Sequence, residues 1–256
     1  MTKYRLIQVS DTHLTPGRDL FHGVHPGDNL RAGLGMLSEA GIVPDLLVLT
    51  GDLANTGDPE CYEELRAVVA GFVDNGGTTV VYLPGNHDLR PEFRRHLLGQ
   101  EASDGPINQV HWRGGLRVVS LDTVVPGDEA GALAAETLAF LRDALSTVAP
   151  DGTVLALHHP PIPSPVEPMA RIMLHHPEQL GEAIVGSDVR VVLCGHNHHD
   201  ALGSVAGVPV WVSPSSAYRI DILSRDKVHG VPGCAFSQID LYEGGTTATV
   251  IPVPLP

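Results

Sequence analysis

Short apolar runs alternate along this chain with stretches of helical spacing, and run after run stops at a polar residue. The first, Leu6-Ile7-Gln8-Val9-Ser10, reads as a buried strand and ends at Asp11-Thr12-His13. A loop rich in Gly, Pro and His follows. Leu30, Leu34 and Leu37 then recur on one helix face, and Gly41 stops that helix. A second strand over Asp45–Thr50 ends at Gly51-Asp52. Asp58 then sits as a capping residue before Pro59 at the first helical position, with Tyr62, Leu65, Val69 and Phe72 sharing a face. A third strand over Thr78–Leu83 ends at Pro84-Gly85-Asn86-His87-Asp88, and a short helix is predicted over Pro91–Leu98. Strand, helix, strand, helix, strand predicts a largely parallel sheet.

The second half repeats the rhythm. Gln109–Arg113 and Leu116–Leu121 form a hairpin about Gly114-Gly115, and Leu138, Leu141 and Leu145 mark a helix. The strand Thr153–Leu157 ends at His158-His159-Pro160-Pro161, which opens a stiff, Pro-rich loop. A helix near Glu178–Val185 leads to the strand Arg190–Leu193 and to Gly195-His196-Asn197-His198. Segments around Ala201–Val205, Val208–Val212, Ala235–Leu241 and Thr246–Ile251 alternate, as antiparallel strands do. The rhythm predicts an α/β protein of two sheets packed face to face with helices outside, in one domain over residues 1–256. Periodicity alone leaves the number of sheets open.

Composition narrows the function. A net charge of −14 argues against a binder of duplex nucleic acid, which carries a basic stripe. It leaves room for a small phosphorylated substrate, because bound cations reverse the local field. The start, Met1-Thr2-Lys3-Tyr4-Arg5, has no apolar leader, and no run approaches the ~20 apolar residues of a membrane helix. The three cysteines, Cys61, Cys194 and Cys234, form no Cys-x-x-Cys pair and read as reduced, buried thiols. These features predict a cytoplasmic protein without an integral membrane segment.

The chemistry lies at the strand ends. Asp11 and His13, Asp52, Asn86 and His87, His158, and His196 with His198 each follow an apolar run. In open α/β sheets, ligands bind at the carboxyl ends of the strands, which would bring these loops to one edge. His196 and His198 are two residues apart, so in an extended segment both point to one side. Carboxylate, imidazole and amide oxygen suit metals such as Mn, Fe and Zn. There are too many donors for one tetrahedral ion. A pair of metals bridged by one carboxylate accounts for them.

Asp-x-His, Gly-Asp, Gly-Asn-His-Asp, His and Gly-His-x-His, in that order from residue 11 to 198, resemble the calcineurin-like metallophosphoesterase superfamily. Gly51-Asp52-Leu53-Ala54, Leu121 to Gly127 and Ala156 to Pro163 are similar to the bacterial class III cyclic-nucleotide phosphodiesterases of mycobacterial type. The resemblance implies a four-layer αββα sandwich, two mixed sheets flanked by helices, with two metals (Fe, Mn or Zn) at one edge. It implies that Asp11, His13 and His198 hold one metal, that Asn86, His158 and His196 hold the other, and that Asp52 bridges them. It places His87 over the substrate as a phosphate contact and proton donor to the leaving oxygen, with Asn86 also touching substrate. A homodimer is implied as well. The chain ends at Pro256, so contacts made by a longer C-terminal extension in the mycobacterial type are not carried over.

The implied reaction is hydrolysis of phosphodiesters, 3′,5′-cyclic AMP or 2′,3′-cyclic nucleotides among them. Two cations ~3.5–4 Å apart stabilise the attacking and leaving oxygens of an in-line displacement and lower the pKa of a bound water to roughly 7. Alternatives are a broad phosphomonoesterase, a glycerophosphodiesterase, and a scaffold that has lost its metals. Protein phosphatases of the superfamily carry Gly-Asp-x-x-Asp-Arg-Gly, and here Gly51 to Gly57 lacks that Asp-Arg pair. Of the remaining polar residues, Asp88 is expected to orient His87 or a metal ligand, and His159 to pack behind the site. Asp122 and Thr123 are expected to be structural. His22, His25 and His199 are loop residues placed to line the pocket, with His25 a candidate substrate contact and the loop Asp19–Asp28 shaping specificity. His111, His175, His176 and His229 read as surface or structural.

Overall fold

The computed structural model describes residues 2–255 except 18, 21, 22 and 74–76, so His22 lies outside the described residues. One sheet has the order β13-β12-β1-β2-β3, from β1 (Thr2–Val9), β2 (Leu46–Thr50), β3 (Thr79–Leu83), β12 (Cys234–Tyr242) and β13 (Gly245–Val253). The other has the order β4-β5-β6-β7-β9-β8, from β4 (Gln109–Arg113), β5 (Leu116–Leu121), β6 (Thr153–Leu157), β7 (Val189–Cys194), β8 (Ala201–Val205) and β9 (Val208–Val212). Strands β1, β2 and β3 are parallel, as are β5, β6 and β7. Both sheets are mixed, as expected.

Residue parity makes the layers. Leu6, Leu46, Val48, Val81 and Leu83 of the first sheet meet Leu116, Val118, Val154, Ala156, Val191 and Leu193 of the second in one buried cluster. Their neighbours in sequence point the other way, because successive strand side chains alternate faces. Ile7, Val9, Leu47 and Leu49 pack under α1 (Pro26–Glu39) and α2 (Pro59–Phe72). Val119, Leu121, Leu155, Leu157 and Val192 pack under α4 (Ala135–Ala144) and α6 (Pro177–Ile184). Strands buried on both faces read as continuous apolar runs, which is why these were legible.

Four local features depart from the expectation. The third helix begins as α3 (Arg90–Glu92) and continues as a π-helical stretch, Phe93–Leu98. The Pro-rich loop contains a short helix, α5 (Glu167–Ala170). A two-stranded ribbon, β10 (Tyr218–Ile220) with β11 (Gly230–Pro232), stands apart from both sheets. Strand β9, expected to be antiparallel throughout, is antiparallel only to β8 and runs parallel to β7. The tight turn Ala206-Gly207, both with positive φ, folds β9 back inside β8.

Candidate metal centre

The polar loops after β1, β2, β3, β6 and β7 meet at one edge of the sandwich. Backbone strain marks the place. Asp11, His13, Asp52, His196 and His198 all have φ between 43° and 70°. Only His176 and Ala206 share that feature among the other described non-glycine residues. Such conformations cost ~1–3 kcal/mol each and persist where surroundings over-determine them. Here the loops hold one another. Asp11 N–H donates to Gly51 O and His13 N–H to Asp52 O. The Asp11 carboxylate accepts the His196 N–H at 3.0 and 3.1 Å, and Asp52 Oδ1 accepts the His87 N–H at 2.9 Å. Glycine is required where these loops touch: a Cβ on Gly195 would lie 2.0 Å from Ser10 Oγ, and one on Gly85 would lie 2.2 Å from Asp52 Oδ1.

The seven expected ligands converge in two overlapping groups. In one, His13 Nε2 lies 3.1 Å from His198 Nε2, which lies 3.5 Å from Asp11 Oδ1. In the other, Asn86 Oδ1 lies 3.2 Å from His158 Nε2 and 3.1 Å from His196 Nδ1. Asp52 Oδ2 faces both, 3.7 Å from His13 Nε2 and 3.3 Å from His158 Nε2. Asp11, His13 and His198 offer donor atoms within 4.8 Å of one another, as do Asp11, Asp52 and His158.

The donor set fits cations. His13 Nδ1 donates to Asn55 Oδ1 at 3.1 Å, His158 Nδ1 to Thr50 O at 2.8 Å, and His198 Nδ1 to Tyr218 O at 3.1 Å. Each bond fixes the tautomer and leaves a lone pair on Nε2. In the neutral rings, the Nε2 lone pairs of His13 and His198 therefore face each other, an arrangement that a cation between them relieves. Burial pushes His13 down to about 4 and holds His196 and His198 well below the usual imidazole range, so all three are neutral at pH 7, the form that could bind a cation. Burial raises Asp11 to about 7, Asp52 adding to the rise and His158 opposing it. Burial also disfavours the Asp52 carboxylate, but His158, then His13 and His87, outweigh it and hold the group well below its ordinary value. Burial opposes a charge on His158, yet Asp52 lifts it to about 9.

His87 is exposed over this centre. Its Nδ1 donates to Asn55 O at 2.7 Å, leaving Nε2 for the cleft. Asp88, expected to orient His87 or a ligand, instead accepts the N–H groups of Leu53, Ala54 and Gly85 and the Tyr62 hydroxyl. It fastens the loop carrying Asp52 to the loop carrying Asn86. Burial, then Asp52, raises it to about 6. Tyr62 also accepts the Leu89 N–H. Asn55 and Tyr62 had no role in the sequence reading. Asn55 lies inside the Gly51–Gly57 block, whereas Tyr62 reads as one more apolar face position.

Elsewhere the placements vary. His159 is buried behind His196, its Nε2 donating to Glu129 O and its Nδ1 accepting from Thr123 Oγ1, which is the packing role expected. Asp122 is structural, taking Arg90 at 2.8 and 2.9 Å and the N–H groups of Ile107 and Val124. His25 lies apart from the metal cleft, 2.7 Å from Asp19, and lines a separate cavity of about 120 Å³ with Asn29 and Ala217. His199 is buried against Ser164. His176 and His229 are exposed beside Glu178 and Asp221.

The model of the calcineurin-like phosphoesterase family matches residues 4–200. The chain is 39% identical over 258 residues to a cAMP/cGMP dual specificity phosphodiesterase of Mycobacterium tuberculosis, covering 98% of this chain and 80% of that protein. It is 36% identical to a probable cyclic nucleotide phosphodiesterase of Rhodococcus erythropolis, covering 98% and 84%. Among solved structures, a dimetal phosphatase from Danio rerio superposes with a TM-score of 0.68 at 13% identity, covering 99% of this chain and 100% of that one, a likeness of fold.

Proposed function

This chain belongs to the calcineurin-like phosphoesterase family and is a metal-dependent phosphoester hydrolase; from that premise we propose that it cleaves phosphodiesters, cyclic nucleotides among them. The observation that carries the diester reading is similarity across 98% of the chain to proteins named as cyclic nucleotide phosphodiesterases. We assign Asp11, His13 and His198 to one metal, Asn86, His158 and His196 to a second, and Asp52 to both. Fe, Mn or Zn suits these donors. When bound, such ions neutralise the phosphoryl oxygens and acidify a water.

The chain's own residues do the rest. Asn86 turns its oxygen to His158 and His196, which leaves its NH₂ for a phosphoryl oxygen. His87, held through Nδ1, carries a proton on Nε2 to the departing alkoxide. Asn55 positions two rings at once, His13 through its side chain and His87 through its carbonyl. Asn55→Ala is expected to weaken metal affinity or activity ~10–100-fold, the usual effect of removing such a support, as read by metal titration and by kcat/KM.

We read residues 1–256 as one domain and the protein as cytoplasmic, in keeping with three buried free cysteines. No helix among the described residues is long and apolar enough to cross a membrane. The family resemblance favours a homodimer, and half-exposed Trp112 on edge strand β4 offers apolar surface for one. A substrate panel tests the main reading. With Mn²⁺, kcat/KM on 3′,5′- and 2′,3′-cyclic nucleotides should exceed that on p-nitrophenyl phosphate. Preference for the monoester would overturn it.

A further inference from the structure

The two sheets divide the donors of the metal centre between them. Asp11, His13, Asp52 and Asn86 follow β1, β2 and β3 of one sheet, while His158, His196 and His198 follow β6 and β7 of the other. Each proposed metal takes donors from both sheets, so the offset between the sheets sets both coordination shells. Apolar packing fixes such an offset poorly, because it is non-directional. A metal site needs its donors held within about 0.5 Å.

One polar side chain stands between the sheets just behind the centre. Gln8 of β1 is fully buried. Leu6, two residues back on the same face, and Val48, its register partner on β2, belong to the apolar cluster between the sheets. The Gln8 Nε2 group donates to Thr50 Oγ1 at 3.0 Å and to Cys194 O at 2.9 Å. Thr50 ends β2 and is followed by Gly51-Asp52; Cys194 ends β7 and is followed by Gly195-His196. Gln8 itself lies on the strand that leads to Asp11 and His13. Three ligand-bearing strands therefore meet at one NH₂ group. Thr50 O ties in a fourth, because it accepts His158 Nδ1 from beyond β6. Ser237, the register partner of Gln8 on β12, continues the polar line across the sandwich. Its Oγ accepts Trp211 Nε1–H at 3.0 Å and lies 2.9 Å from Ser213 Oγ, both from the other sheet's side.

Stability does not explain a glutamine here. Its Oε1 is buried with no partner among the described protein atoms, an arrangement that destabilises a fold and that an apolar side chain of the same length avoids. What the amide supplies is direction, since buried hydrogen bonds specify one arrangement where apolar contacts admit several.

We propose that Gln8 is a positioning residue for the metal centre. It locks the offset of the two sheets at the edge where their ligands meet, and so raises metal affinity from behind without touching metal or substrate. The inference rests on the metal assignment above.

The test measures Mn²⁺ binding to the metal-free chain by calorimetry and thermal unfolding in chelator, for the parent, Gln8→Met and the Q8M/T50V double variant. Methionine matches glutamine in length and donates nothing. Cys194 O keeps the Ser213 N–H, and T50V removes the hydroxyl that Q8M leaves without its donor. Gln8→Met should bind Mn²⁺ ~10–100-fold more weakly, the usual effect of losing a support behind the ligands. Its unfolding midpoint in chelator should stay within about 4 °C of the parent's. The double variant should bind within about twofold of Q8M, because the second substitution deletes a bond already lost. Mn²⁺ affinity within about threefold of the parent's in both variants would overturn the proposal. So would a midpoint more than about 8 °C lower in the double variant, which would make Gln8 a support of the fold and not of the centre. A parent chain that binds no pair of Mn²⁺ ions would overturn the metal assignment itself, whatever the variants do.

Discussion

Asp52→Asn is expected to lower kcat/KM by roughly 10³-fold or more, because withdrawing several kcal/mol of metal-derived charge stabilisation costs a factor of ten for each 1.36 kcal/mol. The substitution keeps volume and keeps Oδ1 as an acceptor for the His87 N–H. What it removes is the charge that both groups of ligands share. Asp52 Oδ2 stands between His13 Nε2 and His158 Nε2, so both proposed metal sites lose their common anion. Metal content should fall below two per chain after gel filtration, read by elemental analysis. Full occupancy with two ions would refute the bridging role even if activity were lost. Thermal unfolding in chelator separates this from a folding defect: burial alone disfavours the charge that Asp52 sustains on His158, so in the variant that ring sheds its proton and the chain should stay folded.

How far this centre could be read from the chain follows from where each residue stands. Asp52, Asn86, His158 and His196 each follow a mainly apolar strand, so the polar residue just past the run stands out, and Asp11 follows a run broken only by Gln8 and Ser10. Parity within those runs also separates the inter-sheet core, Leu6 and Leu46, from the helix-facing one, Ile7 and Leu47. Neither signal reaches the cleft residues Met169, Ile220 and Val228. Helix α5 and ribbon β10–β11 are too short to show a period, and they sit among prolines and polar residues that read as loop. Left-handed backbone at Asp11 and His13 is equally silent, since the strain falls on residues kept for their chemistry and is held by contacts distant in sequence. Asp88 shows the same limit from the other side. Its place beside His87 invites a local partnership, but the carboxylate turns inward to the loop amides and Tyr62, where four donors meet it. The ring it was expected to orient is held by the carbonyl of Asn55, a residue 32 positions away.

His87→Ala should leave two metals per chain and still lower kcat by ~10²–10⁴-fold, the range for loss of a general acid. His87 is exposed, and its only ring hydrogen bond among the described contacts is to Asn55 O, so the stability change should stay within about 0.5 kcal/mol, as for surface positions generally. The diagnostic is the leaving group. A ribose alkoxide needs a proton as the P–O bond breaks, whereas p-nitrophenolate departs without one. The variant should therefore lose far more activity on 3′,5′-cyclic AMP than on bis(p-nitrophenyl) phosphate. Equal losses on the two would make His87 a phosphate contact and not an acid. A loss below about tenfold on cyclic AMP would exclude it as the proton donor. Because Nδ1 is committed to a carbonyl, only Nε2 is available for this transfer. Replacement by Gln, which can still offer an N–H but cannot give up a proton, should restore binding as seen in KM and leave kcat low.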